Sequence, residues 1–124
     1  MSRILIVEDN ERNLKLAREI LQGNGFSTLE AREARAGIAL AQEHVPDLIL
    51  MDIQLPGMNG IEALKALRAE ARTAAIPVIA VTASVMTKDI GIITSAGFDG
   101  YVAKPIRYAS FLAAVRAAVE KAGA

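Results

Sequence analysis

The sequence predicts an α/β domain: a five-stranded parallel sheet in the order 2-1-3-4-5, with helices on both faces. Three observations carry this. Short apolar runs alternate with helix-like segments along all 124 residues, and such alternation gives a parallel sheet covered on both sides by right-handed crossovers. The runs at 48–51 and 78–81 are apolar without a break, as strands buried on both faces are. Four runs end in polar residues that would share one edge of the sheet. These endings are Glu8-Asp9, Asp52, Thr82 and Lys104-Pro105.

Each element follows from local signals. Ile4-Leu5-Ile6-Val7 is the first strand. The first helix runs from about Asn10, a plausible N-cap, to the Gly23-Asn24-Gly25 stop, and Leu14, Ala17, Ile20 and Leu21 give it a buried face. Phe26 to Ala31 alternates, which suits a half-exposed edge strand. Glu33 to His44 is the second helix, stopped near Pro46. Asp47 to Asp52 is a central strand. Leu55-Pro56-Gly57-Met58-Asn59-Gly60 is a loop by composition, and Ile61, Leu64 and Leu67 mark the third helix. Pro77 opens the fourth strand. A fourth helix spans about Met86 to Ala96, with Gly97 ending it. Gly100 to Ala103 is the fifth strand. Residues 107–121 form the last helix, with Phe111, Val115 and Val119 on one face. In the order 2-1-3-4-5 the amphipathic second strand lies at an edge. The switch point then falls between the first and third strands, where ligands bind beyond the carboxyl ends.

Composition narrows the class. A single domain of this length buries roughly 65–70% of its unfolded surface, and 52% hydrophobic content makes the chain globular. Basic and acidic residues balance at 14 each, which disfavours a phosphate-tracking face for nucleic acid. No apolar run approaches the ~20 residues of a membrane span. With no cysteine, disulfides and thiolate metal sites are excluded. Met1-Ser2-Arg3 leads straight into the first strand, so no signal peptide is expected. A cytoplasmic location follows as the expectation.

The clustered residues permit one chemistry above others. Glu8, Asp9 and Asp52 cannot all sit close together ionised without a counter-charge. Oxygen-only ligands favour Mg2+. Asp52 ends the central strand and is the candidate nucleophile for an aspartyl-phosphate. Phosphoryl transfer needs positioning and charge neutralisation, which Lys104 and Thr82 can supply. A cis Lys104-Pro105 bond would turn Lys104 toward Asp52. Taken singly, each residue also has an ordinary reading, as a helix cap, a strand threonine or a surface lysine.

These motifs together resemble the response-regulator receiver domains, which have the flavodoxin-like fold of the chemotaxis regulator CheY. The matching stretches are Ile4-Leu5-Ile6-Val7-Glu8-Asp9-Asn10, Leu50 to Gly60, Val81-Thr82-Ala83 and Tyr101-Val102-Ala103-Lys104-Pro105. CheY is itself a standard example of the 2-1-3-4-5 order, so order and resemblance are one observation. Within the family the chain is most similar to single-domain regulators of the DivK type. The resemblance implies that residues 1–124 form one receiver domain, with Asp52 as phosphoacceptor in a bacterial two-component phosphorelay. It implies that Asp9 is the main magnesium ligand, assisted by Glu8 and by the backbone carbonyl of Gln54. Lys104 would bind the phosphoryl group, and Thr82 and Tyr101 would be the switch pair. The chain would be a regulator rather than an enzyme, assisting its own phosphotransfer and dephosphorylation. Glu8 departs from the aspartate that many receivers carry there.

The implied donor is a sensor histidine kinase or a histidine phosphotransfer protein. The implied output is a contact with a downstream protein, without direct nucleic-acid binding or membrane insertion, as a monomer or weak dimer. Donor recognition is expected around Asn10, Asn13, Leu16 and Ile106, and output around Ile90 and Tyr101. On the fourth helix Ile93 is expected in the core and Ile90 substantially exposed. Gln54 and Ser84 are expected at the mouth of the site, where they would set phosphate lifetime. Three alternatives stay open at this point. One is a phosphate-relay intermediate or sink, and another is a pseudo-receiver that binds partners without phosphate. The third is a hydrolase with an aspartyl nucleophile, weakened because Gln54 stands where a second acid would be needed.

Overall fold

The uninterrupted apolar runs occupy the centre of the sheet. A computed structural model describes residues 2–83 and 87–123. It contains β1 (Arg3–Val7), α1 (Glu11–Gly23), β2 (Ser27–Ala31), α2 (Ala34–His44) and β3 (Leu48–Asp52). Then follow α3 (Gly60–Ala69), β4 (Val78–Thr82), α4 (Thr87–Ala96), β5 (Gly100–Ala103) and α5 (Tyr108–Gly123). All strands pair in parallel in the order β2-β1-β3-β4-β5. Every residue of β3 and β4 is buried, whereas β2, at the edge, is mostly half-exposed.

Strand side chains alternate between faces, so the sheet divides the interior into two cores. Leu5, Val7, Ile49, Met51, Val78 and Ala80 pack with Ala34, Ala41, Ala63, Leu64, Leu67 and Ile93, under α2, α3 and α4. Ile4, Ile6, Leu48, Leu50, Ile79, Val81 and Val102 pack with Leu14, Ala17, Ile20, Leu21, Phe111 and Val115, under α1 and α5. Among the described residues no helix is long and apolar enough to cross a membrane.

Local chemistry sets the helix ends. Asn10 caps α1, its side chain accepting the Asn13 N–H at 3.0 Å. Asn59 and Glu62 form a reciprocal capping box at α3, so that helix starts at Gly60, inside the stretch that composition marks as loop. Glycine usually supplies the left-handed residue after a helix. At the end of α2 that residue is Val45, with φ 45°.

On α4 the expectation for Ile90 fails. Ile93 is in the core, but Ile90 is half-buried and Ile92 is the exposed isoleucine, at 47%. Residues three apart on a helix lie only about 60° from one another, so Ile90 shares the side of Ile93 while Ile92 turns away. The expected helix start at Met86, and Ser84, lie outside the described residues.

The amino-terminal edge of the sheet is closed by polar ties. The Asp47 carboxylate accepts the Arg3 N–H at 2.8 Å. Asp99 accepts the Val78 N–H at 2.8 Å and an Arg68 N–H at 3.0 Å. Arg68 also donates to the carbonyls of Ala74 and Ile76 at 3.1 and 2.6 Å. The Thr73 hydroxyl, fully buried, donates to the Leu67 carbonyl at 2.6 Å.

Candidate phosphoacceptor site

At the opposite edge, the strand ends bring together the acids that the sequence singles out. β1 delivers Glu8 and Asp9 just beyond Val7, and β3 ends on Asp52. Carboxylate oxygens of Glu8, Asp9 and Asp52 lie within 4.8 Å of one another. Glu8 and Asp52 are buried, at 4% and 2% exposure, while Asp9 is open to solvent. Backbone bonds hold the frame. Ile53 N–H donates to Val81 O at 3.1 Å, and Lys104 N–H donates to Thr82 O at 2.8 Å.

Lys104 is the cation of the cluster. The Lys104-Pro105 peptide is cis, and Lys104 Nζ stands 2.9 Å from Asp52 Oδ2. It also stands 3.1 Å from Glu8 Oε1. This second contact is absent from the sequence reading, which pairs Lys104 with Asp52 alone. The longer arm of glutamate at position 8 was the available signal. Asp52 Oδ1 accepts the Gln54 N–H at 3.0 Å, and Glu8 Oε2 accepts the Asn10 N–H at 3.2 Å.

Glu8 and Asp52 share one ammonium with Asp9 close by, and the titration of Glu8 registers the crowding. Burial, then the hydrogen bond and charge of Asp52, push the Glu8 carboxyl from 4.5 to about 7, against the pull of Lys104 and the Asn10 N–H. Burial opposes the charge on Lys104, but its bonds to Asp52 and Glu8 more than offset this and leave its pKa above the usual value. A crowded, all-oxygen donor set with too little positive charge fits a hard divalent cation. Glu8, Asp9 and Asp52 would hold it.

Thr82 is buried at the end of β4. Tyr101, on neighbouring β5, is 43% exposed. Gln54 is exposed. Leu16 is exposed on α1, while Asn13 and Ile106 are half-buried and line one small cleft with Glu8 and Phe111. Ile90 is half-buried, not the exposed residue expected beside Tyr101. Gly60, read from sequence as part of a loop, abuts the backbone of Asp52. The spacing of Asn59 and Glu62 would have placed it on a helix start.

Residues 4–116 match the response regulator receiver domain family. The chain belongs to that family. It is 43% identical over 113 residues to the polar-differentiation response regulator DivK of Brucella ovis, covering 91% of this chain and 92% of that one. DivK of Brucella anthropi matches to the same extent. Among solved structures, a CheY-like receiver domain from Methanospirillum hungatei JF-1 superposes with a TM-score of 0.89 at 28% identity, covering 99% and 97% of the two chains. The receiver domain of a sensor histidine kinase from Pseudomonas aeruginosa PAO1 superposes at 0.88 and 28% identity, covering 96% and 98%. That structure has a magnesium ion coordinated in its active-site cleft. The fold is thus the CheY-like one, and the chain is a DivK-like response regulator receiver.

Proposed function

We propose that this receiver accepts a phosphoryl group on Asp52 from a sensor histidine kinase or a histidine phosphotransfer protein, and passes the signal to another protein by contact. One observation carries the reading. A buried aspartate has an ammonium 2.9 Å from one oxygen and two further carboxyl groups beside it.

The Gln54 N–H holds one Asp52 oxygen and Lys104 the other, so the carboxylate is oriented before the donor arrives. An Asp52 oxygen attacks phosphorus, the phosphorus–nitrogen bond to the donor imidazole breaks, and the electron pair returns to that nitrogen. Lys104, already against Asp52, follows the negative charge onto the phosphoryl oxygens. Glu8, Asp9, Asp52 and the Gln54 carbonyl would hold Mg2+, which would supply positive charge to offset the acids and the developing phosphoryl charge. Thr82 supplies the hydroxyl that closes on the phosphoryl group, and Tyr101 follows it inward, changing the surface formed by α4, β5 and α5. Donor docking uses the surface around Asn10, Asn13, Leu16 and Ile106.

Incubation with magnesium and acetyl phosphate, followed by intact mass measurement, tests the proposal. A stoichiometric phosphoryl adduct that maps to Asp52 is expected. Donor turnover without an adduct would favour a hydrolase, and no reaction would favour a pseudo-receiver.

A further inference from the structure

Glycine at position 60 stands against the acceptor's own backbone. A Cβ there would lie 2.6 Å from the Asp52 carbonyl oxygen and 2.9 Å from Ile53 Cα. The first of these falls about 0.8 Å short of ordinary contact. At Gly37 the corresponding clash, also 2.6 Å, is with the tip of the Val7 side chain. Among the described glycines the obstacle is main chain at Gly60 alone, and that main chain carries the candidate phosphoacceptor. The Gly60 N–H also donates to Ile53 O at 3.1 Å, which ties the helix start to the strand end. Gly60 is not among the residues with positive φ, so close approach, not backbone conformation, is what requires glycine here.

We propose that Gly60 is a positioning residue for the acceptor: by lacking a side chain it lets α3 seat directly on the Asp52–Ile53 backbone and fixes the Asp52 carboxylate against Lys104. The inference rests on the reading of Asp52 as phosphoacceptor. Where the misfit of an added methyl falls follows from how each partner is held. α3 is clamped by the capping box of Asn59 and Glu62 and by Ala63, Leu64 and Leu67, all fully buried. The strand end beyond Asp52 leads into the loop of Gln54 to Asn59. The strand end is held too, by Ile53 N–H to Val81 O at 3.1 Å, so neither side withdraws freely and the misfit falls on the Asp52–Ile53 peptide that carries the carboxylate. A misplacement of about 1 Å in a reacting group costs up to roughly a hundredfold in rate.

The test compares the parent chain, Gly60→Ala and Gly91→Ala for labelling by acetyl phosphate at saturating magnesium, on protein shown to be folded by circular dichroism. Gly91 is the control because a Cβ there meets nothing within 4 Å. Gly60→Ala is expected to label at least about tenfold more slowly per folded molecule, with Gly91→Ala like the parent. A purely structural glycine would lower the melting temperature and leave this rate alone, so a Gly60→Ala rate within about threefold of the parent overturns the proposal. Equal slowing in Gly91→Ala also overturns it. If Gly60→Ala is unfolded at 25 °C, trimethylamine N-oxide is added to restore the fold before the rate is read. A chain that stays unfolded even then overturns the proposal, because the glycine serves the fold and not the site. Absence of labelling in the parent is a different result, which removes the reading of Asp52 itself.

Discussion

The two edges of the sheet carry similar residues and treat them in opposite ways. At the amino-terminal edge, Asp47, Asp99, Arg68 and Thr73 all bond to backbone groups. Each charge there closes a strand end or a turn. At the carboxyl-terminal edge, three acids crowd together with Lys104 bound to two of them, and the Glu8 carboxyl is pushed up to about 7. The first edge uses polarity to hold the chain together. The second stores unfavourable negative charge that an incoming cation can relieve. Stability and activity should therefore separate by edge.

The largest effect is expected at Asp52. Asp52→Asn should reduce labelling by acetyl phosphate by at least about a thousandfold, while the melting temperature holds or rises because one acid of the crowd is gone. Labelling at the parent rate would break the assignment. Loss of the fold would show instead that the acidic edge is structural after all.

Glu8→Gln sharpens the same contrast through pH. The folded-state pKa of Glu8 lies above its unfolded value, so the native chain holds a proton that the unfolded chain has released between pH 4.5 and about 7. Stability linked to this group is full below 4.5 and is lost as pH rises to about 7. In magnesium-free buffer, Glu8→Gln should match the parent near pH 4.5 and exceed it above pH 7. The gain is on the order of 3 kcal/mol, from the pKa displacement. Denaturant unfolding at several pH values measures it. A difference that stays flat through this window would mean the acids are not in conflict.

Most of this architecture was legible in the sequence, because its signals are local or periodic. Asn10 announces the start of α1, and the unbroken runs at 48–51 and 78–81 announce buried strands. The acids at the ends of β1 and β3 converge because parallel strands end on one side. What was not legible depended on three-dimensional angle or reach. Ile90 and Ile92 differ only in rotation about α4, which three closely spaced isoleucines do not specify. The bond of Lys104 to Glu8 depends on the length of one side chain. The role of Gly60 depends on what lies across from it, and its neighbours spell a loop. The ties of Arg68 to Ala74, Ile76 and Asp99 join segments whose sequences give no sign of meeting.

Arg68→Ala tests the amino-terminal edge. It removes donors from two carbonyls and from Asp99, but Arg68 and Asp99 are partly exposed, so water replaces some of the loss. A cost of about 1–2 kcal/mol is expected, or roughly 4–8 °C in melting temperature. Labelling per folded molecule should be unchanged. Slower labelling at constant fold would join the two edges and break the comparison.

Val45 gives the smallest expected effect and the most specific one. It ends α2 at the amino-terminal edge, in a left-handed conformation that costs an L-residue roughly 1–2 kcal/mol, and it is β-branched as well. Its side chain is 43% exposed, so little apolar burial compensates. Val45→Gly removes the conformational cost, but glycine is more mobile in the unfolded chain, which returns roughly 0.5–1 kcal/mol. The net gain should be about 0.5–1 kcal/mol, or ~2–4 °C in melting temperature. Val45→Ala, which keeps the Cβ, should gain less than half of that. Labelling should be the same in all three proteins, because this strain lies at the edge away from Asp52. A stabilised Val45→Gly with altered labelling would mean that strain at one edge is felt by the acids at the other. No gain from Val45→Gly would mean that the valine side chain contributes packing that offsets its backbone.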